Sequence, residues 1–249
     1  MSRPASPGRA AAALAAFELR VTARRGENVL VTMIIPAAVL LFFATTGILP
    51  ARAGRPVDFL LPGALALAII AAGLVNLGIA TAYERSYGVL KRLGGSPLPR
   101  AGLVAAKLVA VLGLEILQVL VLFVVAAAIL GWRPAATVSP GMFVAAMLLG
   151  TLAFAGLGLL MAGRLRAEAT LALANGLFLV FLMVGGIVLP LDHLPGPLAA
   201  VAGVLPASAI AEAFRAALGT GTEGASSLTI LAAWGIATAA LAVRTFRWE

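Results

Sequence analysis

Cysteine is absent from the 249 residues and histidine occurs once, at His193. Disulfides and thiolate metal sites are therefore excluded, and one imidazole is too few for a histidine-built metal centre. Charge is scarce as well, at 11% of residues, where soluble domains carry roughly a quarter. Three chemical signatures are missing: the Gly-x-x-x-x-Gly-Lys-Ser/Thr phosphate loop, the Gly-x-Ser-x-Gly elbow and the His-Glu-x-x-His pair. ATP hydrolysis by the usual cradle of amides and lysine, serine-hydrolase chemistry and zinc-protease chemistry all drop out. The chain is expected not to be an enzyme and to hold no cofactor or metal of its own. His193 reads as a surface residue.

What the sequence has instead is apolar bulk, 62% of residues with a mean hydropathy of +1.07. A water-soluble core cannot hide that fraction, and lipid is the solvent to reason with. Crossing about 30 Å of hydrocarbon takes about 20 helical residues. Six runs approach that length: Val29 to Ile48, Phe59 to Ala82, Leu108 to Leu130, Met142 to Leu160, Ala169 to Pro190 and Leu228 to Val243. Each must satisfy its own backbone hydrogen bonds, and the alternating polarity of a barrel is absent, so the runs predict helices. The expected fold class is an all-α membrane protein of six transmembrane helices. Residues 1–27 form a cytoplasmic N-terminus with an interfacial helix, Leu14, Phe17 and Val21 sharing its apolar face, and residues 28–249 form one membrane domain.

The net charge of +8 sits in short clusters between apolar runs, which suits membrane topology and not a nucleic-acid partner. Fourteen basic residues fall on one side of the predicted spans: Arg3, Arg9, Arg20, Arg24, Arg25, Arg85, Lys91, Arg92, Arg100, Lys107, Arg164, Arg166, Arg244 and Arg247. Arg52, Arg55, Arg133 and Arg215 fall on the other. That bias puts both termini in the cytoplasm, as an even span count requires. The start of the chain loosely resembles a signal peptide, but its core is alanine and arginines follow at once, so it is expected to be retained. Between the last two spans, Leu194 to Ile210 lacks charge yet contains Pro195, Pro197 and Pro206. It predicts a re-entrant or extracellular element followed by a short helix from Ala207 to Leu218; an ordinary apolar loop is the alternative.

The densest charge cluster runs from Tyr83 to Arg100, between spans two and three. Its first part, Glu84 to Leu93, predicts a short surface helix with Tyr87, Leu90 and Leu93 at helical spacing, ended by Gly94 and Gly95 and redirected by Pro97 and Pro99. Taken alone, these charges favour anchoring to anionic lipid. The order Glu84, Arg85, Gly88, Leu90, Arg92 and Pro97, however, resembles the loop after the second span of the ABC type-two permeases, membrane subunits of drug, polysaccharide and related exporters. The resemblance extends to Phe59-Leu60-Leu61-Pro62-Gly63, to Leu189-Pro190, to His193-Leu194-Pro195 and to the stretch from Leu205-Pro206 to Arg215. Many members carry a second acidic residue where Ser86 stands here.

That resemblance implies a coupling helix seated in a groove of a separate ATPase subunit, which would hold the ATP and magnesium. It also implies a second permease, either another copy or a similar chain, and export across the plasma membrane of a bacterial cell, with multidrug efflux and antibiotic resistance as the associated roles. The apolar span faces suit a hydrophobic or amphipathic cargo. Within the spans, Glu115, Asn76 and Asn175 are candidates for a substrate path. Glu115 is also the group an ion-coupled carrier, the alternative function, would use, since mid-membrane charge is costly. Contact of Glu115 with Lys107 or a helix hydroxyl, and interhelical hydrogen bonding by the asparagines, are the structural alternatives.

Overall fold

A computed structural model describes residues 7–24, 26–46, 54–95 and 99–245. The described residues form helices and connecting turns, with no strand among them. In chain order the helices are α1 (Pro7–Arg24), α2 (Gly26–Thr46), α3 (Pro56–Ile70), a π-helical segment (Ala71–Leu77), α4 (Gly78–Ser86), α5 (Val89–Gly94), α6 (Arg100–Ala128), α7 (Pro140–Ala162) and α8 (Ala167–Val184). A 3₁₀ turn (Leu191–His193) then leads to α9 (Gly196–Gly203), α10 (Pro206–Ala217) and α11 (Gly224–Thr245).

Among the described residues, five helical rods are long and apolar enough to cross a membrane: Pro56–Ser86, Arg100–Ala128, Pro140–Ala162, Ala167–Val184 and Gly224–Thr245. They coincide with five of the six expected runs. The first run falls on α2, whose 21 residues rise roughly 31 Å; its apolar side chains are described from Thr32 to Thr46. The uncharged stretch between the last two spans is more helical than its prolines suggested. Pro195 and Leu205 precede α9 and α10, and Pro197 and Pro206 sit in their first turns, where a missing N–H costs nothing. The two helices meet at a bend of 75° and form a sixth candidate crossing if counted as one.

The rod made of α3, the π-helical segment and α4 lies at the centre. Its residues from Leu60 to Leu74 are buried without interruption. Around it pack α2, α6, α7, α8 and α10, while α11 lies along α7 and α1 lies along α6. Tight approach explains the fit against α7: a Cβ on Gly158 would stand 2.6 Å from the Gly73 carbonyl oxygen and 3.3 Å from the Gly78 Cα. Backbone meets backbone there, which only glycine permits. Not every glycine in these helices marks such an approach, since a Cβ on Gly176 would meet nothing within 4 Å.

Candidate functional site

The charged loop after the central rod forms a corner of two helices instead of one. α4 ends at Ser86, and Gly88 takes φ +71° and ψ 11° before α5 begins. Only glycine adopts that left-handed conformation without steric cost. The single surface helix expected from Glu84 to Leu93 is therefore broken in its middle, and the side chains on either side of Gly88 point in different directions. Tyr87 is 75% exposed and stacks loosely on Tyr83 at 6.0 Å, whereas Leu90 is fully buried against Leu103, with Ala10, Leu14 and Leu93 packed around them. Lys91 and Arg92 are exposed. Pro97 lies outside the described residues.

Polar contacts hold the corner to three other elements. Glu84 Oε2 accepts from Lys107 Nζ at 2.7 Å, and the same ammonium donates to Glu18 Oε1 of α1 at 3.0 Å. Lys107 is 1% exposed, and a cation so buried persists only when paired; here two carboxylates share it. Arg85 Nη2 donates to the Leu165 carbonyl in the turn between α7 and α8. An open cleft of about 430 Å³ runs between that turn and the corner, lined by Arg85, Ser86, Gly88, Lys91, Arg166 and Glu168. Leu90 fills the angle between α1 and α6, and burying a leucine contributes about 2 to 3 kcal/mol. The corner thus has few independent motions: displacing it drags α1, α6 and the α7–α8 turn.

The α1 face differs from the one expected. Leu14 and Ala15 turn inward with Glu18, and Leu19 lies so close to α6 that a Cβ on Gly113 would stand 2.5 Å from its Cδ2, while Phe17 is 58% exposed. Lys107 reads in the sequence as a topology marker, and Glu18 carries no assignment there. The signal that could have paired them is Glu84, an acid within a basic loop that needs a partner.

The three path candidates separate. Asn76, in the π-helical segment, lines a cavity of about 50 Å³ together with Glu18, Glu84, Lys107 and Leu114. Glu115, fully buried on α6, lies 2.5 Å from the Thr151 hydroxyl of α7, the helix-hydroxyl alternative and not the Lys107 one. Asn175 is exposed on α8 and donates to the Leu171 carbonyl of its own helix at 2.9 Å, so its bond is intrahelical.

At the far end of the rod, Arg215 is 3% exposed, although its sequence context reads as an outer loop charge. It pairs with Glu212 at 2.5 Å, donates to the Gly186 carbonyl and lies 4.0 Å above the Phe59 ring. These contacts tie α10 to the end of α3 and to the turn after α8.

Comparison with known proteins identifies the family. The family described as ABC-2 type transporter matches residues 9–218, from α1 through α10. No curated protein matches the chain.

Proposed function

The chain belongs to the ABC-2 type transporter family, and from that premise we propose that it is the membrane-spanning permease subunit of an ATP-binding-cassette exporter, powered through the corner at Gly88 by a separate ATPase subunit. The membership itself makes it a multi-pass membrane transport protein with an ABC ATPase as partner. The observation that carries the proposal is the double pairing of Lys107, because it makes the corner and the membrane-facing helix α6 one mechanical body.

In this reading Glu84, Arg85, Gly88, Leu90 and Arg92, with Pro97 beyond them, form the coupling element. Its exposed part, Tyr87 with Lys91 and Arg92, enters a groove of the ATPase. The neighbouring cationic cleft suits an acidic side chain of that partner. ATP and magnesium reside on the partner. Closure of two ATPase subunits pushes two permeases, a second copy or a similar chain completing the path. A rigid body transmits such a displacement where a flexible loop would absorb it.

The topology we propose counts α2 as the first span and the bent α9–α10 pair as re-entrant. The crossings then number six, and both termini lie in the cytoplasm of a bacterial cell. Cargo is a hydrophobic or amphipathic molecule moved outward. Multidrug efflux and antibiotic resistance are the roles such cargo implies.

The test is to reconstitute the chain with an ABC ATPase that co-purifies with it and measure cargo-stimulated ATP hydrolysis. Replacing Gly88 by valine together with Leu90 by alanine is expected to abolish stimulation while the protein still inserts and is still captured by a tag on α11. Transport by the isolated chain without nucleotide hydrolysis would overturn the reading.

A further inference from the structure

The Thr151 hydroxyl lies between two oxygens. It is 2.5 Å from Glu115 Oε2 and 2.7 Å from the Met147 carbonyl oxygen one turn back on α7. A hydroxyl has one proton, so a full hydrogen bond to one of them leaves the other facing a lone pair. If Thr151 donated to Glu115, its oxygen would face the Met147 carbonyl at hydrogen-bond distance with no proton between them. If Thr151 donates to Met147, the usual bond of a helical threonine, its lone pairs are left to accept, and among the described residues the group in place to donate is a protonated Glu115. Counting protons therefore favours a protonated Glu115.

The surroundings agree. Glu115 is fully buried, and among the described residues no ion pair includes it. Its other oxygen, Oε1, has no hydrogen-bond partner. Lys107, eight residues earlier on α6 and so about 12 Å along the helix, spends its ammonium on Glu18 and Glu84. One turn onward, Gln118 donates to the Thr32 carbonyl of α2, and its own carbonyl oxygen is unpartnered, so it supplies Glu115 with no donor. An ionised carboxylate here would have at most one hydroxyl to stabilise it inside a hydrocarbon-thick layer, an arrangement of high cost. A neutral carboxyl leaves only a weak acceptor unpaired.

We infer that Glu115 is a proton-binding site whose neutral carboxyl donates to Thr151 and latches α6 to α7, a positioning role and not that of a charged substrate or ion ligand. The other carboxyl side chains that the structure describes are either water-accessible or paired with a cation.

Infrared spectroscopy of the purified chain in lipid nanodiscs at pH 7 tests this. The wild type is expected to show the carbonyl stretch of a protonated carboxylic acid, displaced in D₂O, assigned to glutamate by carbon-13 labelling and missing from Glu115→Gln. Thr151→Val removes the acceptor and is expected to shift the band. A wild-type spectrum without the band, or a band indifferent to Thr151→Val, overturns the assignment. Melting temperature gives an independent readout. The amide of Glu115→Gln donates as the carboxyl does and keeps stability near wild type, while Glu115→Ala loses the latch. The expected gap is about three- to twenty-fold in the unfolding equilibrium, and equal losses in the two variants would also overturn the inference.

Discussion

Lys107 Nζ stands 2.7 Å from Glu84 Oε2 across 23 residues of sequence, with Glu18 closing the other side. The corner is thereby fastened to α1 and α6 before any partner arrives. Replacing Lys107 by methionine keeps the volume but leaves two carboxylates facing each other. Loss of a partner from a buried pair costs about 3 to 5 kcal/mol. The lower end is expected here because the carboxylates are 15% and 21% exposed. Adding Glu18→Gln and Glu84→Gln removes the stranded charges and is expected to recover most of that loss in thermal melts.

Leu90 and Tyr87 flank Gly88 and separate stability from docking. Leu90→Ala empties a fully buried position and is expected to cost about 2 to 5 kcal/mol, read as a lowered melting temperature of the permease alone. Tyr87→Ala alters an exposed ring and is expected to leave the melt within about 0.5 kcal/mol. If the corner enters the ATPase, Tyr87→Ala weakens capture of that subunit in a pull-down.

These two residues also mark the limit of what the sequence disclosed. Long apolar runs register in any window of about 20 residues, so five spans and the short helix after Pro206 were legible, and so was the boundary at Gly94–Gly95. The break at Gly88 was not, because a glycine inside a charged segment reads equally well as a helix interior or a left-handed turn. Pairing of Lys107 with Glu18 spans 89 residues, and no local pattern carries such a contact. A basic residue near a span end looks the same whether it reaches toward lipid headgroups or is buried. Arg215 misled for the same reason.

Gly158 and Gly176 offer matched substitutions on neighbouring spans. Gly158→Ala sets a methyl against the Gly73 backbone and is expected to destabilise by about 1 to 3 kcal/mol. Gly176→Ala meets nothing within 4 Å and gains helix propensity, about 0.5 to 1 kcal/mol in favour of the variant. Melts of both proteins in the same lipid check the contrast.

Arg215→Lys retains the charge but loses the planar fork that reaches Glu212, the Gly186 carbonyl and the Phe59 ring together. Lysine is a point charge on a flexible stem. A loss of about 1.5 to 3 kcal/mol is expected, with faster proteolysis at the α9–α10 bend as the local readout.

The π-helical stretch between Ile70 and Gly78 has a bearing on how this rod is dissected. Its hydrogen bonds skip one residue further than those on either side, so the angular phase of the helix slips within it. A helical wheel drawn at 3.6 residues per turn from Pro56 therefore assigns the positions from Gly78 onward to the wrong faces, and a tryptophan scan of the rod needs a second wheel that starts there. From Leu60 to Leu74, where every position is buried, the scan would find no tolerant stripe in either register.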